Sequence, residues 1–144
     1  MDARIFLAVA AMVIAVSGSV AAQSLAYLSD SLKVPAFKAS FDALFRGERN
    51  LPAWLLAYRK NRNGAENAGR VEGGSYELYG VCEPHNCSDS RILIMFVPGG
   101  SRAWAVLITL PNTPGSTGKG SSPNYRFFGN PDRQQRALLR SAKW

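Results

Sequence analysis

Histidine and cysteine are almost missing from this chain: its 144 residues hold one histidine, His85, and two cysteines, Cys82 and Cys87. The scarcity excludes whole classes of chemistry. There is no paired metal-ligand motif, no nucleophile elbow and no Cys-x-x-Cys redox pair, so an enzyme has little to be built from. Ser75, Ser88 and Asp89 read as loop or turn residues, and nothing fixes Glu83 beside His85 as an acid/base pair. Acidic residues are few as well, 10 against 17 basic, for a formal charge of +7. The basic residues are spread along the sequence rather than gathered, and the nearest to a run, Arg59-Lys60-Asn61-Arg62, sits in a polar stretch that reads as a solvated loop. Such a surface attracts anionic partners in general; the expected export disfavours nucleic acid.

Long apolar runs are absent except at the start. Residues 1–22 read as a secretory signal peptide, with Arg4 ahead of an apolar stretch from Ile5 to Val16 and small residues at Ser19-Val20-Ala21-Ala22. Cleavage is expected before Gln23, with Ala22 the next candidate. A transmembrane anchor is the rival, but the run is short and nothing after Gln23 looks like a second span. No cysteine at the cleavage site offers a lipid anchor. Removing Asp2 and Arg4 together leaves the mature charge at +7. The expected product is one periplasmic domain, residues 23–144, 47% hydrophobic over the whole sequence and so able to bury a core.

What the chain does have is concentrated in six residues, Cys82-Glu83-Pro84-His85-Asn86-Cys87. In an oxidising compartment a close cysteine pair favours a disulfide. Cys82, His85 and Cys87 are alternatively three zinc ligands, though Pro84 and the tight spacing make poor geometry and no fourth Cys or His exists; free thiols are the third option. A disulfide would stabilise by roughly 2 kcal/mol through so small a ring, which points to loop shape as much as to global stability. No metal and no cofactor is expected.

Around this segment the pattern predicts a helix from Pro35 to Phe45, with Phe37, Phe41, Leu44 and Phe45 on its buried face and Gly47 as its stop. Pro52 breaks any helix there, and Trp54 to Tyr58 is expected as a strand. Asn61 to Gly69 is expected as a loop, and Ser75 to Val81 as a strand running into Cys82. Arg91 to Val97 is a near-continuous apolar run, expected as a central strand covered on both faces. Pro98-Gly99-Gly100-Ser101 marks a hairpin turn into Arg102 to Leu110. Pro111 to Asn124 reads as a flexible connection, Tyr125 to Phe128 as a short strand, and Asn130-Pro131 as the start of a helix reaching Ala142. The order favours an α+β domain: one antiparallel sheet of about five strands with helices on one face.

The early amphipathic helix, Leu51-Pro52-Ala53-Trp54, a strand leading into Cys-x-Pro-His-x-Cys and Arg91-Ile92 opening a long strand together resemble the inhibitor of vertebrate lysozyme family, over roughly Leu32 to Val106. The resemblance implies a curved sheet with helices on one side and a protruding, disulfide-closed loop. It also implies an exported protein that blocks chicken-type lysozyme, not an enzyme, with Cys82 and Cys87 as the staple. The loop would enter the active-site cleft, where His85 meets two catalytic carboxyl groups. Two carboxyl groups favour a charged imidazole, so such a contact would respond to pH near the ordinary histidine range, about 6.5. The family loop commonly reads Cys-Lys-Pro-His-Asp-Cys; here Glu83 and Asn86 stand at the Lys and Asp positions. Glu for Lys turns attraction to the cleft carboxylates into repulsion, with each charge term roughly 1–3 kcal/mol at about 5 Å. The alternative function is therefore a diverged envelope binding protein. It would target another muramidase-type enzyme, such as a lytic transglycosylase, or have lost inhibition through Glu83 and Asn86.

Overall fold

The computed structural model describes residues 27–71, 74–111 and 122–143. The expected signal peptide and most of the Pro111 to Asn124 connection lie outside them. The elements run α1 (Leu28–Ser31), α2 (Pro35–Leu44), α3 (Ala53–Asn61), β1 (Glu66–Val71), β2 (Glu77–Cys82), β3 (Ser90–Phe96), β4 (Ala103–Thr109), β5 (Asn124–Phe128) and α4 (Arg133–Ser141). The five strands form one curved, open antiparallel sheet in sequence order, β1-β2-β3-β4-β5. This is the expected α+β domain.

β3 sits at the centre because both of its faces are apolar. Ile92, Ile94 and Phe96 alternate with Leu93 and Met95, and all five are fully buried. The first set joins Tyr79, Val81, Ala105, Leu107 and Phe128 beneath α1, α2 and α3, where Phe37, Phe41, Phe45, Leu55 and Tyr58 complete the larger core. The second set joins Leu78, Trp104, Val106 and Ile108, and Leu139 of α4 closes that side. The expectation of helices on one face thus holds for α1–α3 and not for α4. A sheet whose central strands are apolar on both sides needs a cover on both sides.

The α2 helix forms as its spacing predicts. Pro35 occupies the first turn, and Phe37, Phe41 and Leu44 are buried along one stripe. The β3–β4 turn then docks on it: Ser40 Oγ donates to the Gly100 carbonyl at 2.8 Å. Gly100 has φ +78°, and a Cβ there would lie 2.3 Å from a Phe37 ring carbon, so the turn approaches the helix only because this residue is glycine.

Three local expectations are corrected. Trp54 to Tyr58 is helix, not strand. Pro52 does not break the chain there; it stands at the N-cap, and its carbonyl accepts from Leu55 N and Leu56 N. Trp54, Leu55 and Tyr58 are buried while Leu56 is 49% exposed, a helical stripe and not a two-residue alternation. The strand count is nonetheless five, because β1 begins inside the stretch expected to be loop. Its polar sequence can pair because β1 is an edge strand, satisfied through its backbone to β2, with a register shift between Asn67 and Gly69. α4 starts at Arg133 with Asp132 as its cap, two residues later than the expected start at Asn130-Pro131. The Asp132 carboxylate accepts from Gln135 N at 2.8 Å while Gln135 Oε1 accepts from Asp132 N at 2.9 Å, a reciprocal capping box.

Candidate functional site

The segment Cys82–Cys87 forms a loop between the end of β2 and the start of β3. The two sulfurs are bonded to each other, with Cα atoms 4.9 Å apart. That bond takes both thiolates out of the zinc alternative, and no group of three or more His, Cys, Asp or Glu among the described residues could hold a metal ion.

The ring is built around a tight turn. Asn86 N donates to the Glu83 carbonyl at 3.0 Å, with Pro84 and His85 as the two central residues and the Glu83–Pro84 bond trans. His85 has φ +60°, so the turn is of type II, in which the first central position suits proline and the second requires the left-handed region. Glycine is the usual residue at that second position. A histidine there carries a backbone cost on the order of 1–2 kcal/mol, and its side chain is exposed at the tip. Among the described residues Asn50, Arg62 and Asn130 also have positive φ, and His85 is the one that stands at the tip of the disulfide ring.

Glu83 and Asn86 flank this turn and are joined to each other: Asn86 Nδ2 donates to Glu83 Oε2 at 2.8 Å, and both side chains are half-buried. The two positions that depart from the common Lys/Asp pattern are thus one clasp. A neutral amide facing a carboxylate keeps the cross-turn bond that a Lys–Asp pair would also make, but leaves the loop with a net negative charge.

The base of the loop is tied down from three directions. Glu83 N donates to Ser90 O at 2.9 Å, and Ser90 N to Asn86 O at 3.0 Å. Leu110 N, just past β4, donates to Asp89 O at 2.8 Å. Trp54 Nε1 of α3 donates to Ser90 Oγ at 2.9 Å, a bond in which both residues are buried. The last contact gives Leu51-Pro52-Ala53-Trp54 a physical role. Its tryptophan props the floor on which the histidine loop stands, from 36 residues away. Ser90 had no sequence signal beyond its place before an apolar run.

Behind the ring, Arg91 Nη1 donates to the carbonyls of Ser88 at 2.8 Å and Cys87 at 3.4 Å. Arg91 shares its sheet face with Leu93 and Met95, the face that α4 covers.

The chain as a whole is similar to known proteins. A family model described as "Inhibitor of vertebrate lysozyme (Ivy)" matches residues 36–143. A curated protein of Pseudomonas aeruginosa named "Inhibitor of vertebrate lysozyme" is 32% identical over 114 residues, which cover 78% of this chain and 74% of that protein. An uncharacterized protein of Yersinia pestis is 26% identical over 118 residues, covering 78% of this chain and 73% of its own length.

Proposed function

The chain belongs to the inhibitor of vertebrate lysozyme family, and from that premise we propose that it inhibits a chicken-type lysozyme by inserting the Cys82–Cys87 loop into the enzyme's active-site cleft. The observation that carries this reading is His85, exposed at the tip of a disulfide-closed type II turn and held in a backbone conformation that would suit glycine better. Inhibition is by occupancy and not by catalysis. A neutral imidazole donates one hydrogen bond and accepts another, and a charged one donates two, so either form can bridge two carboxyl groups. A short, braced ring loses little freedom on binding, which is where preorganised loops gain affinity.

Export fits the same reading. Residues 1–22 have the pattern of a cleaved leader, and a disulfide persists in the periplasm or outside the cell. No helix among the described residues is long and apolar enough to cross a membrane.

The test is a pair of substitutions at one position. Glycine at 85 loses the imidazole but accommodates φ +60°, so His85→Gly should leave unfolding stability within about 1 kcal/mol of the parent, the relieved strain offsetting the looser unfolded chain. Inhibition of lysozyme should fall at least ten-fold in both His85→Gly and His85→Ala. Either variant inhibiting as well as the parent would remove His85 from the mechanism.

A second reading is favoured by the Glu83–Asn86 clasp. It fixes a carboxylate next to the histidine, where a lysozyme cleft presents carboxylates of its own. The loop would then serve another muramidase-type enzyme, such as a lytic transglycosylase, and a panel of such enzymes assayed beside lysozyme separates the two.

A further inference from the structure

The basic residues are spread along the sequence, but the acidic ones are not. Residues 98–144 hold seven basic side chains and one acid, Asp132, so +6 of the total charge of +7 falls in the last third of the chain. Charge asymmetry between parts of a chain points to an anionic partner. The fold then sorts these cations by face. Arg126 pairs with Glu48 at 2.8 Å. Arg133, Arg136 and Arg140 are exposed on α4, and at about 100° per residue they fall within about 60° of one another around its axis. Arg102, also exposed, lies over the Trp104 ring at 4.9 Å, and Trp104 belongs to the apolar cluster that Leu139 of α4 closes. These four cations share one side of the sheet.

Their contacts hold them in place without neutralising them. Arg136 lies over the Phe127 ring at 5.1 Å and donates from Nε to the Pro131 carbonyl at 2.9 Å. Arg140 lies over the same ring at 5.3 Å and over the Tyr125 ring at 5.0 Å. Among the described residues, Arg102, Arg133, Arg136 and Arg140 have no ion-pair partner. The neighbouring acid, Asp132, accepts from Gln135 N as the helix cap. Like charges four residues apart oppose a helix, so Arg136 and Arg140 over one ring carry a cost that an anion from outside relieves. A guanidinium held over a ring keeps N–H donors for solvent, and their fork suits the oxygens of a phosphate group.

We propose that the outer face of α4, with Arg102 beside it, docks on a bilayer of anionic phospholipid. The row runs about 10 Å along the helix axis from Arg133 to Arg140. A single phosphate reaches at most two of these groups, whereas a plane of headgroups meets them together. The apolar side of α4 stays on the sheet through Leu139, so the contact is electrostatic and the core remains closed. The export proposed above carries the chain past such a surface. This inference goes beyond the inhibitor reading and does not depend on His85.

The experiment sediments the oxidised protein with vesicles of phosphatidylcholine, alone or with about 30% phosphatidylglycerol, at about 50 and 300 mM salt. The variants are Arg133→Gln, Arg133→Gln/Arg140→Gln and Lys60→Gln. Lys60 is an exposed cation of α3, on the other side of the sheet, and its loss changes the net charge as much as the loss of Arg133 does. Arg133 holds no partner among the described residues, so its single variant keeps the test open if the double variant folds poorly. The parent should bind the anionic vesicles, more weakly at high salt, and leave the neutral ones. Each cation removed from the row should lower the partition coefficient about five-fold, hence about 25-fold in the double variant, while Lys60→Gln changes it less than about two-fold. Three results would overturn the proposal. The parent does not bind anionic vesicles, or binds neutral ones as well. Lys60→Gln weakens binding as much as Arg133→Gln does, which would make net charge and not this face responsible. Inorganic phosphate releases the protein from vesicles far better than chloride of equal ionic strength, which would mark a discrete anion site and not a membrane surface.

Discussion

Exchanging the clasp that flanks the histidine, Glu83→Lys with Asn86→Asp, tests both the structure of the loop and the sign of its charge. The two side chains meet at 2.8 Å. Asn86→Asp alone places two carboxylates about 3 Å apart, which costs on the order of 1–2 kcal/mol once discounted for half-exposed groups in an effective dielectric close to that of water. Glu83→Lys alone removes a charge-assisted hydrogen bond, about 1 kcal/mol. The double exchange opposes a cation and an anion again and should recover most of both losses, for a coupling of about 1–2 kcal/mol between the two positions. Because the disulfide keeps residues 82–87 close in the unfolded chain as well, the lower figure is expected in urea unfolding of the oxidised protein. The same four proteins, assayed for lysozyme inhibition, read the charge. Replacing Glu83 by Lys changes repulsion to attraction beside two catalytic carboxylates, so inhibition by the double variant should tighten ten-fold or more. Singles whose losses simply add would refute the clasp. An inhibition constant unchanged in the folded double variant would refute the electrostatic account of Glu83.

Two further outcomes follow from the core. Ser90→Ala removes the acceptor of Trp54 Nε1. It should cost about 1–3 kcal/mol for the orphaned indole N–H and weaken inhibition by loosening the loop's floor, measured by urea unfolding beside the lysozyme assay; parent-like values in both would mean that the tryptophan does not brace the site. Tyr58 is fully buried, and burial pushes its phenol from 10.0 up to about 12, with Arg62 opposing the rise and Asp30 adding to it. The unfolded chain therefore ionises first: the stability is fully present below pH 10 and falls between pH 10 and 12, by about 1.4 kcal/mol at pH 11. Tyr58→Phe should remove that share of the alkaline loss in urea unfolding compared at pH 8 and 11, and an unchanged loss would show that the phenol ionises as readily in the folded protein.

How far the sequence could be read depended on how local each signal was. The stripe of Phe37, Phe41 and Leu44, the apolar run of β3 and the glycine turn into β4 are set by neighbours a few residues apart, and the corresponding elements form where the periodicity places them. α3 is ambiguous in the sequence because Pro52 can stop a helix or start one, and the short apolar run after it fits either period until Leu56 is seen to face solvent. β1 is not legible in the sequence because an edge strand can be held through its backbone by β2, without a hydrophobic pattern of its own.

The residues that make the histidine loop are set by the sequence alone, while the bond between its two cysteines is read from the structure. Its staple, turn proline and imidazole lie within six consecutive residues, and ring closure over so short a span leaves little conformational choice. What surrounds the loop was decided only in three dimensions. Trp54 reaches Ser90, and Arg91 shares a groove with Arg140 and Lys143, because a five-stranded sheet covered on both faces brings α3 and α4 to the same end of β3. Contacts between residues so far apart in the chain leave no spacing rule behind, so the brace under the loop and the groove beside it exist only once the core has closed.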